Sequence, residues 1–518
     1  MAGRDAAGVN RFGWVVFTCF ITALLCAPFV RVIYAVSDEG ILLDGADRML
    51  RGQRLYTDVF ALLPPGGFFI VTGWFAVAGH SMMAARILAV LTAVGIAAFT
   101  FMTCQMVSGG VVWSALLVLG WVIMSLGDGV QISHHWFTTF FIMICCWASV
   151  VSLAGPPQWR RWPLLSGAAA GAALMVTPPQ GALAAIAALA AFSGGNRRMA
   201  RFGCYLLASV VIPICLLSYV LCSGLTVPAF NDVIIFNFTR YSRVQAVPFA
   251  WLANQQDELF RYGFPLAGFL TIVMIARNWR SALSDQVLRT CVAFATAGFV
   301  GCFPRPDIFH ISVSFPLSCP LIAYCMGRLL QDWRPRHRYA VAVVAIGLGL
   351  PAVRSYVWKV EKAVHGHAVT TPRGNLVLAV NGAQQLLARI EETPADDRYF
   401  FYPTEELLPF LSARGQVGPL DWLQPDYSTP AQYQDACVAM MRSAQWFVVA
   451  RMDASGWKAM FPGTPNPDVP ERLQFENVLN NASWLVGQYG WFDLRRRVPG
   501  IDASACDAIT GGPPSSDP

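Results

Sequence analysis

Long apolar segments alternate with short polar stretches over the first 357 residues of the chain. An α-helix rises about 1.5 Å per residue and the apolar core of a bilayer is about 30 Å thick, so roughly 20 apolar residues can cross it. The pattern predicts about eleven spans, two of them short, at residues 12–36, 84–106, 111–127, 136–154, 163–176, 181–193, 202–222, 262–276, 287–303, 311–330 and 339–357.

The pattern changes after residue 357, where short candidate strands and helices alternate. The segments are RYFFYPT, ELLPFLSAR, AQYQDACVAMMRSA and QWFVVAR. We therefore expect two domains, a polytopic α-helical membrane domain at 1–357 and an extracytoplasmic α/β domain at 358–518 that is large enough to bury its own core. Its last residues, mostly TGGPPSSDP, are expected to be disordered.

The composition agrees with a membrane protein. Only 13% of the residues are charged, against roughly 25% in soluble domains. The net charge of +6 does not indicate nucleic acid as a partner, because the arginines lie in short loops and form no continuous basic stripe. Most of the 14 cysteines lie in apolar stretches and are expected to be small core residues, and no zinc-binding spacing is present.

The loop arginines predict the orientation of the chain. Cytoplasmic loops are rich in Lys and Arg, and all the basic loops fall on one side only if the apolar segment 66–79 does not span. We therefore predict that 66–79 is a juxtamembrane or re-entrant helix in a protein of the cytoplasmic (inner) membrane. The loop after the first span, the loop 223–261, the segment FPRPDIFH and the C-terminal domain then lie outside. The basic loops predicted to be cytoplasmic contain Arg160, Arg161, Arg197, Arg198, Arg201, Arg277, Arg280, Arg334, Arg336 and Arg338.

The first outer loop, SDEGILLDGADRMLRGQRLYTDVFALLPPGG, concentrates ionisable residues. Adjacent carboxylates at a membrane surface lose solvation energy, so Asp38 and Glu39 are the first candidates for chemistry. Acids here could take a proton from an acceptor, and arginines could hold a phosphate. The alternative is a solvated amphipathic helix in which Arg48, Arg51 and Arg54 contact anionic lipids.

This part of the chain resembles the GT-C glycosyltransferase superfamily. The resemblance rests on Asp-Glu-Gly after the first span, then RGQRLYTD, PPGG, an apolar segment, Gly-His-Ser and Arg86 at the start of the next span. It is strongest over 37–100 and weaker up to 357. Within this superfamily, the chain is similar to protein O-mannosyltransferases, lipid A aminoarabinose transferases and bacterial lipopolysaccharide sugar transferases. One departure is TPPQG at 177–181, where several relatives carry Thr-Lys-Gly.

The resemblance implies a GT-C fold and inverting transfer of a sugar from a polyprenyl-phosphate donor to an extracytoplasmic acceptor. Such a reaction needs a general base for the acceptor and cations for the departing phosphate. Asp38 is assigned as the base, and Glu39 as the residue that orients it or contacts the sugar. Arg54, Asp58 and Arg86 are predicted to contact substrate.

Two further outer segments could complete the site. FPRPDIFH places Arg305, Asp307 and His310 at the mouth of a span, where Arg305 could hold phosphate or simply form a loop network with Asp307. In NFTRYSRVQ, Arg240 and Arg243 could meet the lipid headgroup, or have no role in the site.

No metal site or resident cofactor is assigned, although a divalent cation is possible. His134 and His135 are adjacent, are expected to point apart on a helix, and could bind an ion only together with Asp128. The main alternative function is a transporter or flippase of lipid-linked sugars, which would usually show internal repeats and charges within the spans. Neither internal repeats nor charges within the spans are seen in the sequence.

Overall fold

The structure is a computed structural model. It describes residues 8–34, 39–126, 130–153, 160–193, 197–251, 258–277, 279–331, 333–403 and 407–509. The roles predicted for Asp38 and Asp128, and the disorder predicted for residues 510–518, concern residues outside these ranges.

Helices make up most of the region before residue 366. Short 3-10 turns, Ala27–Phe29 and Phe315–Leu317, and a π-helix, Asn231–Tyr241, interrupt them. The helices are α1 Gly8–Cys26, α2 Glu39–Leu50, α3 Pro65–Ala78, α4 Met82–Ser108, α5 Val111–Ser125, α6 His134–Leu153, α7 Arg161–Leu174, α8 Pro178–Phe192, α9 Arg198–Cys222, α10 Thr226–Phe230, α11 Ser242–Val244, α12 Glu258–Arg277, α13 Trp279–Ser284, α14 Gln286–Val300, α15 Ile308–Ser314, α16 Cys319–Leu329 and α17 Pro335–His365.

Several of these helices are long and apolar enough to cross a membrane, so this is a multi-pass membrane protein. Among the described residues they are α1, α4, α6 and α9, and the bent pair Ile308–Leu317 and Cys319–Leu329 makes a fifth if it is one span. Helices α3, α5, α8 and α14 are apolar but shorter. The predicted number of about eleven spans therefore stays a prediction.

Helix α3 coincides with the segment predicted to lie at the membrane surface. It has 14 residues, which is about 21 Å of helix and less than the thickness of the apolar core of a bilayer. Its start is held by close backbone contact, since Gly66 N–H donates to Met175 O at 3.0 Å. A Cβ at Gly66 would lie 2.4 Å from that oxygen, so only glycine fits here. Its juxtamembrane position stays a prediction.

The C-terminal part contains a four-stranded sheet with helices beside it, as the alternating pattern predicts. The strand order is β4-β5-β7-β6, with β4 parallel to β5 and the other neighbours antiparallel. Its elements are β4 Tyr399–Tyr402, β5 Trp446–Ala450, β6 Ser483–Tyr489, β7 Phe492–Arg497, α18 Ala383–Glu391, α19 Leu407–Ser412, α20 Pro430–Ser443, α21 Ala454–Met460 and α22 Pro470–Asn481, followed by a 3-10 turn, Ala503–Ala508.

A second, small sheet joins the two parts of the chain. Strand β1, Val32–Ile33, follows α1 and pairs in parallel with β3, Gly374–Leu378, which also pairs with β2, Ala368–Thr371. The strand that follows α1 is therefore bonded to the C-terminal part. The predicted domain boundary at residue 357 lies within α17 and stays a prediction.

The cysteines divide into two groups. Most free cysteines in the described residues are buried, as the apolar surroundings predict. Cys437 on α20 and Cys506 near the end of the described chain instead form a disulfide, which the sequence analysis did not predict. This bond ties the C-terminal segment to the helix that covers the four-stranded sheet.

Candidate functional site

Glu39 and Arg86 form a buried ion pair at the start of the first outer loop. Glu39 is the first residue of α2, Arg86 lies in the first turns of α4, and the two residues are 3% and 2% exposed. The Glu39 carboxylate accepts hydrogen bonds from Arg86 Nη1 and from Ile132 N–H, the latter at 2.8 Å. Arg86 Nη2 also donates to Val32 O at 3.3 Å. The pair thus joins β1, α2, α4 and the segment that leads into α6.

This contact brings together two residues that the sequence analysis assigned separately. Arg86 neutralises Glu39, and Glu39 directly follows Asp38, the predicted base. The catalytic role of Glu39 and the substrate contact of Arg86 stay predictions, as does the role of Asp38, which lies outside the described residues.

The second half of α2 binds the C-terminal part through Arg48. Its guanidinium donates to Asp421 Oδ1 at 2.9 Å, Gly418 O at 2.7 Å and Gln53 Oε1 at 2.6 Å. Arg48 is 3% exposed, so it does not face lipid headgroups. Arg51 and Arg54 keep side-chain exposures of 43% and 63%, which leaves them accessible to a ligand or to lipid.

Asp47 extends the same connection. Its carboxylate accepts from Arg373 Nη2 at 2.6 Å and from Arg51 Nη2 at 2.5 Å, and it lies 3.0 Å from His80 Nδ1. Arg373 follows β2, so this network holds the C-terminal part to both α2 and the start of α4. Charge-assisted hydrogen bonds of this kind are about twice as strong as neutral ones.

Asp44 differs from its neighbours because its carboxyl group is buried without a hydrogen-bond partner among the described residues. Arg48 Nη1 is 3.9 Å from Asp44 Oδ2, which is too far for a hydrogen bond. Burial, together with the nearby Asp421 carboxylate, raises the pKa of Asp44 well above its ordinary value, although Arg48 opposes the shift. Asp44 therefore favours its neutral form in the folded protein.

Arg54 and Asp58 lie at the surface of the first outer loop. Asp58 Oδ2 accepts from Arg54 N–H at 2.8 Å and lies 3.9 Å from Arg54 Nε. These contacts close a local turn. The two residues remain close to α2 but do not contact the Glu39–Arg86 pair, and their predicted substrate contacts stay predictions.

Arg305, Asp307 and His310 form a connected cluster before and within α15. Arg305 Nε donates to Asp307 Oδ2 at 2.8 Å, and Arg305 Nη1 donates to the side-chain oxygen of Gln245. Asp307 also caps α15, because its Oδ1 accepts from the His310 N–H at 2.9 Å and lies 2.6 Å from His310 Nδ1. The loop network considered in the sequence analysis is therefore present, and the predicted contact of Arg305 with phosphate stays a prediction.

The charges around Asp307 favour its ionised form. Burial alone would raise its pKa, but His310 and Arg305 outweigh burial and lower the pKa to about 2. Arg305 is thus held in place by a carboxylate that stays charged at neutral pH. Its Nη2 makes only a 3.4 Å contact with Met460 O, so this edge of the guanidinium is the least engaged.

Two further histidines lie against this cluster. The ring of His135 lies 3.9 Å from that of His134 and 4.5 Å from that of His310, measured between centroids. The expectation that His134 and His135 point apart was wrong. His134 is the first residue of α6, so no preceding helical turn restricts its side chain. Ile132, which bonds Glu39, lies two residues earlier, so the segment 132–135 connects the two halves of the candidate site.

The described residues contain no group of three or more His, Cys, Asp or Glu side chains arranged to hold a metal ion. Asp128, the third ligand considered for a cation, lies outside the described residues. Metal dependence therefore stays open.

Arg240 and Arg243 lie in the predicted outer loop between α9 and α12. Arg240 Nη1 contacts Asp426 O in the C-terminal part at 3.5 Å, while Arg243 is exposed. Neither contacts the cluster around Arg305 directly, although Gln245, which does, follows them closely. Their predicted contacts with the lipid headgroup stay predictions.

An apolar groove of about 750 Å³ opens beside Arg305. Its walls include Leu183 and Ile186 from α8, Val300 from α14, and Phe303 and Pro304 directly before Arg305. The segment TPPQG forms one end, where Gln180 Nε2 donates to Gly301 O at 3.0 Å. The groove is built from the segments 179–186, 246–247 and 300–304, which are far apart in the chain, so no local sequence pattern could have indicated it.

The fold is shared with solved glycosyltransferase structures. The undecaprenyl phosphate complex of ArnT from Cupriavidus metallidurans matches with a TM-score of 0.59 and 13% identity over 95% of this chain and 99% of that chain. The Archaeoglobus fulgidus oligosaccharyltransferase in its apo form matches with a TM-score of 0.59 and 10% identity over 96% and 76% of the two chains. Arabinofuranosyltransferase AftD from mycobacteria matches with a TM-score of 0.54 and 12% identity over 93% and 40%.

Sequence comparison alone finds no relative: no protein-family model matches the chain, and no curated protein matches it significantly. The likeness is therefore one of three-dimensional structure, and it covers both the helical part and the C-terminal part. The chain has the GT-C glycosyltransferase fold that its first hundred residues predict.

Proposed function

We propose that the protein transfers a sugar from a polyprenyl-phosphate donor to an acceptor on the extracytoplasmic side of the cytoplasmic membrane. The observation that carries this proposal is the apolar groove whose lining includes Phe303 and Pro304, the two residues directly before Arg305. A cation beside an apolar channel suits a ligand that has a phosphate at one end and a hydrocarbon chain at the other. The similar ArnT structure contains undecaprenyl phosphate.

Arg305 would act on the leaving group. As the bond between the anomeric carbon and the phosphate oxygen breaks, negative charge develops on the phosphate, and a cation fixed by Asp307 and Gln245 stabilises that charge without having to reorganise. His310 contacts Asp307, the carboxylate that holds Arg305, and the His135 ring packs against His310. Both histidines could therefore contribute further polar contacts.

Asp38 would be the general base. It accepts the proton of the acceptor hydroxyl, the acceptor oxygen attacks the anomeric carbon, and polyprenyl phosphate departs from the opposite face, so the configuration at that carbon inverts. Support comes from Glu39, the next residue, which is held in place by Arg86 and Ile132. The ion pair would keep the chain around the base in a defined position.

The extracytoplasmic orientation has support that is independent of loop charge. The disulfide between Cys437 and Cys506 is typical of an oxidising compartment such as the bacterial periplasm. The C-terminal part and α2 are connected through Arg48 and Asp421, so both belong on the same side of the membrane.

Donor binding by the purified protein tests the role of Arg305. Arg305→Ala should weaken undecaprenyl phosphate binding roughly ten- to hundredfold, because a charge-assisted contact is worth about 1.5–3 kcal/mol. Arg305→Lys should be intermediate, since lysine keeps the charge but loses the planar fork. Arg328→Ala, at the far end of the bent helix pair that follows Arg305, is the matched control. Equal affinity in Arg305→Ala and Arg328→Ala would remove Arg305 from the donor site.

Turnover with the donor tests the role of Asp38. Loss of a general base typically costs about 10²–10⁴ in rate, so Asp38→Asn should nearly abolish transfer while donor binding persists. Asp435→Asn, which changes an exposed carboxylate on α20, is the control. Parental turnover in Asp38→Asn would rule out this mechanism. Movement of the lipid-linked sugar across vesicles without any glycosylated product would instead favour a transporter.

A further inference from the structure

A polar cleft of about 530 Å³ lies between the first outer loop and the C-terminal part. Arg48, Arg51 and Asp58 line it on one side, and Arg398 and Arg414 line it on the other. Four guanidinium groups therefore face one carboxylate. Its size is in the range of small-molecule sites, roughly 300–1,000 Å³.

Two of these arginines have no carboxylate partner among the residues that the structure describes. Arg48 pairs with Asp421 and Arg51 pairs with Asp47. Arg398 and Arg414, in contrast, form no ion pair within the described part of the chain. Arg414 donates instead to neutral carbonyl groups of the segment 390–395, which hold its guanidinium in place. Arg398 is exposed, so the far wall of the cleft combines one guanidinium group that is held in place and one that is open to solvent.

The rest of the lining suits a sugar better than a lipid. Gln53, Thr57 and Ser443 contribute amide and hydroxyl groups that can bond sugar hydroxyls. Gly415 lies next to the Arg51 guanidinium in a left-handed conformation with φ +66°, which glycine adopts without strain. The absence of a side chain at this position leaves the Arg51 guanidinium open to the cleft.

The cleft also lies within reach of the proposed reaction. Arg48 is nine residues after Glu39 on the same helix, which is about 13 Å at 1.5 Å per residue. A saccharide bound in the cleft would have to cover this distance to bring a hydroxyl group to the proposed base.

We propose that this cleft binds an anionic group of the acceptor, either a sugar phosphate or a uronic acid carboxylate, an inference that rests on the proposed function. Arg398 and Arg414 supply the charge that selects the anion. The polar side chains bind the sugar that carries it. The acceptor would thus be an acidic saccharide rather than a neutral one.

Binding of simple sugars to the purified full chain in nanodiscs tests the inference. Glucose 6-phosphate or glucuronate should bind at least about tenfold more tightly than glucose at low ionic strength, and whichever of the two binds more tightly identifies the anion. Arg398→Glu should abolish this preference. Arg398 is exposed and its side chain forms no hydrogen bond or ion pair with the described residues, so we expect this change to leave the fold intact. Arg451→Gln, which removes a cation directly after β5 and outside the cleft lining, is the control and should retain the preference.

Equal binding of glucose and both acidic sugars would overturn the inference, and so would a preference that survives in Arg398→Glu. Undecaprenyl phosphate binding in the same preparations separates this from the proposed function. A parent protein that binds the donor but shows no preference for acidic sugars contradicts only the acceptor site. A parent protein that does not bind the donor contradicts the proposed function itself.

Discussion

The buried ion pair between Glu39 and Arg86 makes a quantitative prediction about stability. Arg86→Met removes the cation and leaves the Glu39 carboxylate 3% exposed with Ile132 N–H as its remaining partner. Breaking a buried pair in this way typically costs about 3–5 kcal/mol, because the remaining charge is neither solvated nor paired. We expect the free energy of unfolding to fall by that amount.

Changes at Glu39 separate two contributions to the free energy of unfolding: the attraction between the two charges and the cost of burying them. Glu39→Gln leaves a neutral amide that can still accept from Ile132 N–H, so its cost should be smaller, about 1–3 kcal/mol. Glu39→Leu combined with Arg86→Met removes both buried charges and should recover most of the loss, because apolar replacements of a buried pair are often neutral or stabilising. The coupling energy from the cycle of Arg86→Met, Glu39→Leu and their combination should therefore be well above 1 kcal/mol.

Reversible unfolding in mixed micelles measures these free energies, with the transfer rate followed in parallel. Arg328→Met is the control, since Arg328 is exposed and lies 4.0 Å from Asp285, a contact worth about 0–1 kcal/mol. A loss below about 1 kcal/mol in Arg86→Met would refute the assignment of a stabilising pair. Arg86 would then be free to act mainly on substrate.

Three further predictions concern the charged and covalent contacts. The pKa of Asp307 is lowered from 3.8 to about 2, so its ionised form should add about 2 kcal/mol of stability above pH 4. This stability is lost between pH 4 and pH 2. The free energy of unfolding, measured as a function of pH, should show this loss in the parent and not in Asp307→Asn. The pKa of Asp44 is raised by burial, so its ionisation opposes folding as the pH rises above about 4; Asp44→Asn should be at least as stable as the parent at pH 8, and a clear loss there would contradict the neutral form. The Cys437–Cys506 bond closes a separation of 69 residues, so reduction should lower the stability of the C-terminal part by about 2–5 kcal/mol; an unchanged thermal midpoint after treatment with dithiothreitol would contradict this.

Several features could be predicted because they depend on neighbouring residues. A run of apolar residues must be buried in lipid or in protein, whatever its partners. Composition and the length of the apolar runs are therefore enough to predict a membrane protein and its main apolar helices. The Arg305, Asp307 and His310 cluster is similarly local, since an aspartate three residues before a histidine can cap the helix that carries it. The motif string around Asp38 and Glu39 was sufficient to predict the GT-C fold, which the solved structures confirm.

Other features depend on the path of the whole chain and were decided only by the tertiary structure. Glu39 and Arg86 could each be selected from the sequence, but 47 positions separate them and nothing local indicates that they pair. Arg48 meets Asp421 across 373 positions, which turns a possible lipid contact into a bond between the two parts of the protein.

The apolar groove, the histidine contacts and the arginine cleft have the same origin. Each is built from segments that become neighbours only when helices and strands pack, because side-chain contact depends on three-dimensional distance and not on separation along the chain. The sequence by itself determined that this is a helical membrane protein, and it indicated which carboxylates and arginines are candidates for chemistry. Tertiary packing alone decided which of those charges neutralise one another inside the protein and which remain available for a ligand.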